Sequence, residues 1–268
     1  MLNEDVGSLK ILFIADIVGN PGRKALKSLL PKIVAQEGAD MVIANCENAA
    51  AGFGVTQDII EELYDTGITV LTSGNHIWDK KDINKFIDEY ETLLRPANYP
   101  HSVNGSGSVI IPMSSGKHVG VINIIGRVFM QSVDCPFVRV EDEIAKLKAK
   151  TNVIFVDFHA EATSEKIAMG WFLDGKVSAV IGTHTHVQTA DERILPKGTA
   201  FLCDAGMTGS FDSVIGMEKG PIIERFLKQI PTKFEVAKEN VKLQGAIITI
   251  DEQSGRASDI RRISEVLS

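Results

Sequence analysis

Apolar residues along this chain fall into short, strand-length runs, separated by stretches in which they recur every three or four positions. That alternation predicts an α/β protein. The first run is residues 11–15 (ILFIA), and Asn20-Pro21 then offers a cap and a proline suited to a first helical turn. Leu26, Leu29, Leu30 and Ile33 give residues 22–37 helical spacing. Further strands are predicted at 41–44 (MVIA) and 68–72 (ITVLT). Thr56 can cap a helix through Ile59, Ile60 and Leu63, and Asp79 one carrying Ile83, Phe86 and Ile87. The middle differs, because residues 108–111 (SVII) and 119–125 (VGVINII) lie around Gly/Ser-rich turns and predict a hairpin-like pair. Helices near 139–149 and 163–173 alternate with strands at 153–158 (VIFVDF) and 177–181 (VSAVI), and residues 200–203 and 245–250 add two more. Crossovers early and adjacent strands later predict two mixed β-sheets face to face with helices outside, a four-layer αββα sandwich. No linker or repeat divides residues 1–268, so one domain is expected, with residues 1–8 as a loose N-terminal extension.

Polar residues with metal affinity gather where these runs end. Asp16 closes the first, Glu47-Asn48 follow the second and Asn75-His76 the third. His159 ends the 153–158 run, and His184 and His186 end the 177–181 run. Open α/β sheets place ligands at the C-terminal ends of their strands. Carboxylate, amide oxygen and imidazole together suit hard and borderline divalent metals. Each residue alone has a plainer reading: a strand-end His as a hydrogen-bonded structural group, a lone Asp as a turn former. The 182–186 unit (GTHTH) is sharper, since imidazoles at i and i+2 of extended chain project to one face. His101 and His118 sit in turn-like sequence and read as solvated. Residues 19–22 (GNPG) lack the order of a dinucleotide fingerprint or a P-loop, and no G-x-S-x-G elbow occurs.

Composition narrows the classes. The 268 residues carry 28 Lys+Arg against 35 Asp+Glu, a net charge of −7, so no general positive field exists to grip nucleic acid. A phosphate-bearing substrate must be held by particular groups or by bound cations. No apolar run reaches membrane-spanning length, and the first residues carry two acids and no base before Lys10, the opposite of a secretory signal. Cys46, Cys135 and Cys203 are odd in number and far apart, which predicts reduced thiols in a cytoplasmic protein. Alternation turns Cys46 away from Glu47 and out of the site. The pattern selects no oligomeric symmetry.

The ordered set Asp16, Asn45-Cys-Glu47-Asn48, Gly74-Asn-His76, His159 and 182–186 resembles the calcineurin-like metallophosphoesterases. Residues 15–22 (ADIVGNPG), 45–50 (NCENAA), Gly54, 73–79 (SGNHIWD), 95–98 (RPAN) and 204–209 (DAGMTG) are similar to their bacterial YmdB-like branch, along essentially the whole chain. Two departures from the superfamily pattern are shared with that branch: Val18 stands where Asp-x-His would place its His, and Glu47 replaces the bridging Asp. The resemblance implies the metallophosphoesterase fold and two divalent ions, iron first, manganese as the alternative, zinc behind both. It implies one ion held by Asp16, Glu47 and His186, with Asn48 in the place left by the absent imidazole. The other is held by Glu47, Asn75, His159 and His184, with Glu47 as the bridge. His76 then stabilises developing charge or protonates the leaving oxygen. The implied activity is hydrolysis of 2′,3′-cyclic nucleotides or similar small phosphodiesters. A phosphomonoesterase such as a nucleotidase uses the same metals, and a metal-bearing nucleotide-binding regulator with little turnover is a third reading. Pocket shape, set by loops such as 49–56 and 205–216, separates the first two.

Overall fold

The computed structural model describes residues 7–268. In chain order its first half contains β1 (Ser8–Ile14), β2 (Asp16–Ile17), α1 (Gly19–Glu37), β3 (Met41–Asn45), α2 (Gln57–Asp65), β4 (Val70–Thr72) and α3 (Ile83–Phe86). The second half begins with β5 (Ser108–Pro112), β6 (His118–Ile125), α4 (Pro136–Lys148), β7 (Val153–His159), α5 (Thr163–Leu173) and β8 (Ala179–Thr183). It continues through β9 (Arg193–Ile194), β10 (Ala200–Leu202), β11 (Met207–Ser210), α6 (Lys219–Lys228), β12 (Val241–Asp251) and β13 (Ala257–Val266). One sheet runs β2-β11-β12-β1-β3-β4 with β13 on the other edge of β12, and the second runs β5-β6-β7-β8-β10-β9. Neighbours β1, β3 and β4 are parallel, as are β6, β7, β8 and β10, whereas β5 and β9 are antiparallel edges.

Strand alternation sorts the core into three layers of side chains. Ile11 and Phe13 of β1 and Ile43 of β3 meet Val121 of β6, Phe155 of β7 and Ile181 of β8 between the sheets. The Phe13 and Phe155 rings lie 5.2 Å apart there; truncating either costs about 3–5 kcal/mol. Leu12, Ile14 and Val42 point the other way, onto Leu26, Leu30 and Ile33 of α1 and Ile60 and Leu63 of α2. Ile154, Val156 and Phe158 likewise face Leu147 of α4 and Met169 and Leu173 of α5. The αββα sandwich expected from the sequence is therefore the observed architecture.

Several local expectations change. Helix α1 begins at Gly19 rather than after Asn20-Pro21; Pro21 sits in its first turn, where an N–H needs no partner. Ser8 belongs to β1, paired with Asp251, so it is not part of a loose extension, and residues 1–6 of that expectation lie outside the described residues. β13 carries its buried residues Ala257, Ile260 and Ile263 three apart, which reads as helical. Its pairing with β12 slips at Thr249/Ile250, skipping Ser258, so Ala257 and Ile260 share the inner face while Ile263 turns outward.

Candidate metal centre

All the singled-out residues except His101 and His118 lie at one end of the sandwich. Asp16 opens β2, Glu47 and Asn48 lie in the turn after β3, and Asn75 and His76 in the 3₁₀ turn after β4. His159 is the last residue of β7, and His184 and His186 follow β8. Both sheets contribute, so the group spans the gap between them. Gly74 makes the approach possible: a Cβ there would lie 2.2 Å from His159 Cδ2 and 2.5 Å from Glu47 Oε2.

His159 is the hub. Its Nε2 lies 3.0 Å from Glu47 Oε1, 3.0 Å from His184 Nδ1 and 3.2 Å from Asn75 Oδ1. Donors sharing one cation at about 2.0–2.2 Å are spaced on this scale. A relay beneath fixes the proton. Thr183 Oγ1 donates to Asp157 Oδ1 at 2.7 Å and therefore accepts from His159 Nδ1 at 2.9 Å, leaving Nε2 for the centre. Asp157 is fully buried and also accepts from Asn45 at 3.0 Å and from Thr72, so one carboxylate ties β3 and β4 to β7 and β8.

Asp16, Asn48 and His186 surround this hub without hydrogen bonds to one another. Asp16 Oδ2 accepts from the His184 N–H at 3.1 Å. His186 Nδ1 donates to the Ile215 carbonyl at 3.0 Å, which frees its Nε2. Asn48 spends its amide on the Gly52 carbonyl at 2.9 Å, leaving its oxygen. Among the described residues, the buried side-chain atoms with no hydrogen-bond partner are Asp16 Oδ1, Asn48 Oδ1, Glu192 Oε2 and, apart from its ion-pair contact with His159, Glu47 Oε1. Buried orphan oxygens are costly, and three of these four converge here. The donor chemistry fits a divalent cation, and Glu47, His159 and His184 already form a group able to hold one.

Burial and neighbouring charges shift the titration of the clustered groups. Burial drives the Asp16 carboxyl well above its ordinary range, against the pull of His159. Burial also raises Glu47, but His159 and His76 outweigh it and hold it at about 2. Burial lowers His159, yet Glu47 and Asp16 together lift it to about 9. His184 falls to about 3 through burial and the His159 charge, and burial lowers His186. His159 thus holds its second proton most firmly of the three imidazoles, whereas His184 and His186 favour the neutral form.

His76 stands at the edge, half-buried. Its backbone N–H donates to Glu47 Oε2 at 2.9 Å, and its ring packs edge-on against Phe53. Nδ1 lies 2.8 Å from Asp79 Oδ2. Asp79 therefore serves His76 and does not cap a helix; α3 starts later, after Asp82. Two other partners were not singled out. Glu161 Oε2 lies 3.0 Å from His184 Nε2. Buried Lys166 on α5 donates to Asp204 Oδ2 at 2.6 Å, and the same oxygen accepts from Thr185 N–H and Oγ1. That pair grips the 184–186 loop, where His184 and His186 adopt φ of 100° and 64°. A lysine just ahead of the apolar residues of α5 was the available signal.

A cavity of about 520 Å³ opens over Glu47, Asn48, His76, His184 and His186. Loop 49–56 supplies Gly52 and Phe53 to it and loop 205–216 supplies Val214 and Ile215, as expected. Helix α6, absent from the sequence reading, adds Ile222, Arg225 and Phe226, with Met217 and Phe234 beside it. No described helix is long and apolar enough to cross a membrane.

A family model of YmdB-like proteins matches residues 12–263. The chain is 48% identical over 255 residues to the 2′,3′-cyclic-nucleotide 2′-phosphodiesterase of Bacillus subtilis (strain 168), across 95% of this chain and 96% of that protein. A hypothetical protein from Thermus thermophilus superposes with a TM-score of 0.91 at 36% identity, over 97% of this chain and all of that one (100%). A novel phosphatase from Mycoplasma pneumoniae gives a TM-score of 0.91 at 34% identity, over 99% of this chain and 95% of its own.

Proposed function

The chain belongs to the YmdB-like family, and from that premise we propose that it is a metal-dependent phosphodiesterase hydrolysing 2′,3′-cyclic nucleotides or similar small phosphodiesters. The observation that carries the reading is the Glu47, His159 and His184 donor cluster, with partnerless Asp16 and Asn48 oxygens on the adjoining segments, beside a nucleotide-sized cavity lined by Glu47, Asn48 and His184. Asp16, Glu47 and His186, with Asn48, would hold one cation; Glu47, Asn75, His159 and His184 would hold the other. Two divalent ions supply hydroxide near neutral pH and neutralise the phosphoryl charge. Oxygen and nitrogen donors without thiolate suit iron, manganese or zinc, and it is the family resemblance that puts iron first, with manganese as the alternative.

The chain's own groups do the rest. Asp79 orients the His76 ring through Nδ1, which leaves Nε2 facing the substrate. From there His76, as the imidazolium, donates a proton to the departing ribose oxygen and is left as the neutral ring, which Asp79 holds in place through Nδ1–H. Residues 1–268 act as one catalytic domain in this reading, since donors come from both sheets. The three free thiols fit a reducing cytoplasm.

The test is hydrolysis of 2′,3′-cyclic AMP, 3′,5′-cyclic AMP and a phosphate monoester by protein stripped and reloaded with manganese or iron, with metal content measured in parallel. Turnover of the 2′,3′-cyclic diester at about two metals per chain is expected. Two metals with monoester cleavage alone would replace the substrate with a nucleotidase's. Two metals with no turnover would favour a regulator, and no bound metal would overturn the site.

A further inference from the structure

The cavity has two unlike flanks. One carries the donors and His76, with Phe53 against it, and the other is apolar: Ile215, Ile222, Phe226 and Phe234. A cyclic phosphate needs no such wall, and 520 Å³ is the size of site that takes a whole nucleotide. Ile222 and Phe226 stand four apart on α6, so both present the same helix face to the cavity. Phe226 is 73% exposed and Ile215 52%, apolar surface left uncovered at the cavity. Arg225 lies over the Phe234 ring at 5.0 Å, which steadies that ring and leaves the cation at the rim.

We infer that this wall is a nucleobase subsite in which the base stacks on Phe226, with Ile215 and Phe234 closing the slot. The inference rests on the phosphodiesterase reading and names the part of the substrate that the metal donors leave unrecognised. Ile215 ties the two flanks together. It is a β-branched residue at φ 47°, a strained conformation, and its carbonyl fastens His186 at 3.0 Å. The residue that contacts the base thereby sets the position of a metal-donor imidazole. A rigid ribose 2′,3′-cyclic phosphate would span that fixed separation. Among the described residues, Arg225 is the one charged side chain on this flank, so recognition is through ring faces rather than base edges. The site should accept any base, with purines ahead of pyrimidines because they offer more area to stack.

The experiment compares kcat/KM for 2′,3′-cyclic AMP with that for a base-free analogue, glycerol 1,2-cyclic phosphate, and measures adenosine binding by calorimetry. Phe226→Ala should lower the ratio of the two kcat/KM values about tenfold and weaken adenosine by a similar factor. Phe226→Trp should restore both. Leu227→Ala, exposed on the same helix but outside the cavity, should change neither. An equal loss on both substrates, or no loss on either, would overturn the subsite. Phe226-dependent adenosine binding in a wild-type protein that cleaves neither diester would support the subsite while removing the phosphodiesterase reading.

Discussion

Replacing Gly74 by alanine tests whether the donors form one centre. The added Cβ would lie 2.2 Å from His159 Cδ2, 2.3 Å from His159 Nε2 and 2.5 Å from Glu47 Oε2. Each is about 1 Å short of ordinary contact, so the His159 ring and the Glu47 carboxylate must both withdraw from the turn. Metal sites hold their ligand distances to about 0.2 Å, so a displacement several times larger removes two donors together. The backbone at Gly74 has φ −152°, outside the left-handed region, so the effect is one of space. Overpacking of this kind costs about 1–3 kcal/mol, within the stability of an ordinary domain. Gly74→Ala should therefore fold, show an unchanged far-UV spectrum and melt cooperatively at a somewhat lower temperature. Reloaded with manganese, it should retain less than a tenth of the wild-type metal by mass spectrometry, and turnover should fall with it. A variant that holds the wild-type metal complement and activity would refute the geometry, because Glu47 and His159 could not then be ligands on either side of that glycine.

The other expectations are brief. His76→Ala should keep its metal and lose about 10²–10⁴-fold in kcat, with a smaller loss for Asp79→Asn; a loss of metal instead would make His76 structural. Because His159 is held at about 9 in the metal-free protein, metal capture must expel its proton. Affinity should climb with pH through neutrality and level off above 9, and calorimetry in buffers of different ionisation enthalpy should register proton release near pH 7. The same raised value stabilises the metal-free fold fully below its ordinary value of 6.5 and ceases to do so as pH rises through about 9, so the metal-free melting temperature should fall over that interval. Cys203 is pushed up to about 11, and burial raises Cys46 further. Thiol reagents should label Cys135 in the native protein and the other two only on unfolding, and rapid labelling of Cys46 would contradict its place in the core.

Much of the centre was legible because chemistry and chain geometry coincide at strand ends. Asp16, Glu47, Asn75, His159 and His184 each follow an apolar run, and parallel strands bring such ends together. What escaped depends on contacts that no spacing encodes. Asp79 precedes an apolar periodic stretch just as a cap would, and only the 3₁₀ turn that swings His76 back reveals its partner. Lys166 is explained by Asp204, 38 residues away. The bulge at Ser258 gave β13 the spacing of a helix, and α6 was missed although its Ile222 and Phe226 complete the cavity wall.

The 184–186 loop has a consequence for how this protein trades robustness for activity. Two histidines there hold φ of 100° and 64°, conformations that cost on the order of 1–3 kcal/mol each outside glycine. Burial and the His159 charge push the His184 ring down to about 3 and so keep it neutral, which leaves the backbone strain as the burden. Glycine at 184 would relieve that strain, and its own handicap, about 1 kcal/mol from a freer unfolded chain, is of similar or smaller size. His184→Gly should thus raise the melting temperature of the metal-free protein while abolishing its chemistry, and a lower melting temperature would show the loop to be unstrained. Selection for heat resistance alone would carry this sequence away from its own active site.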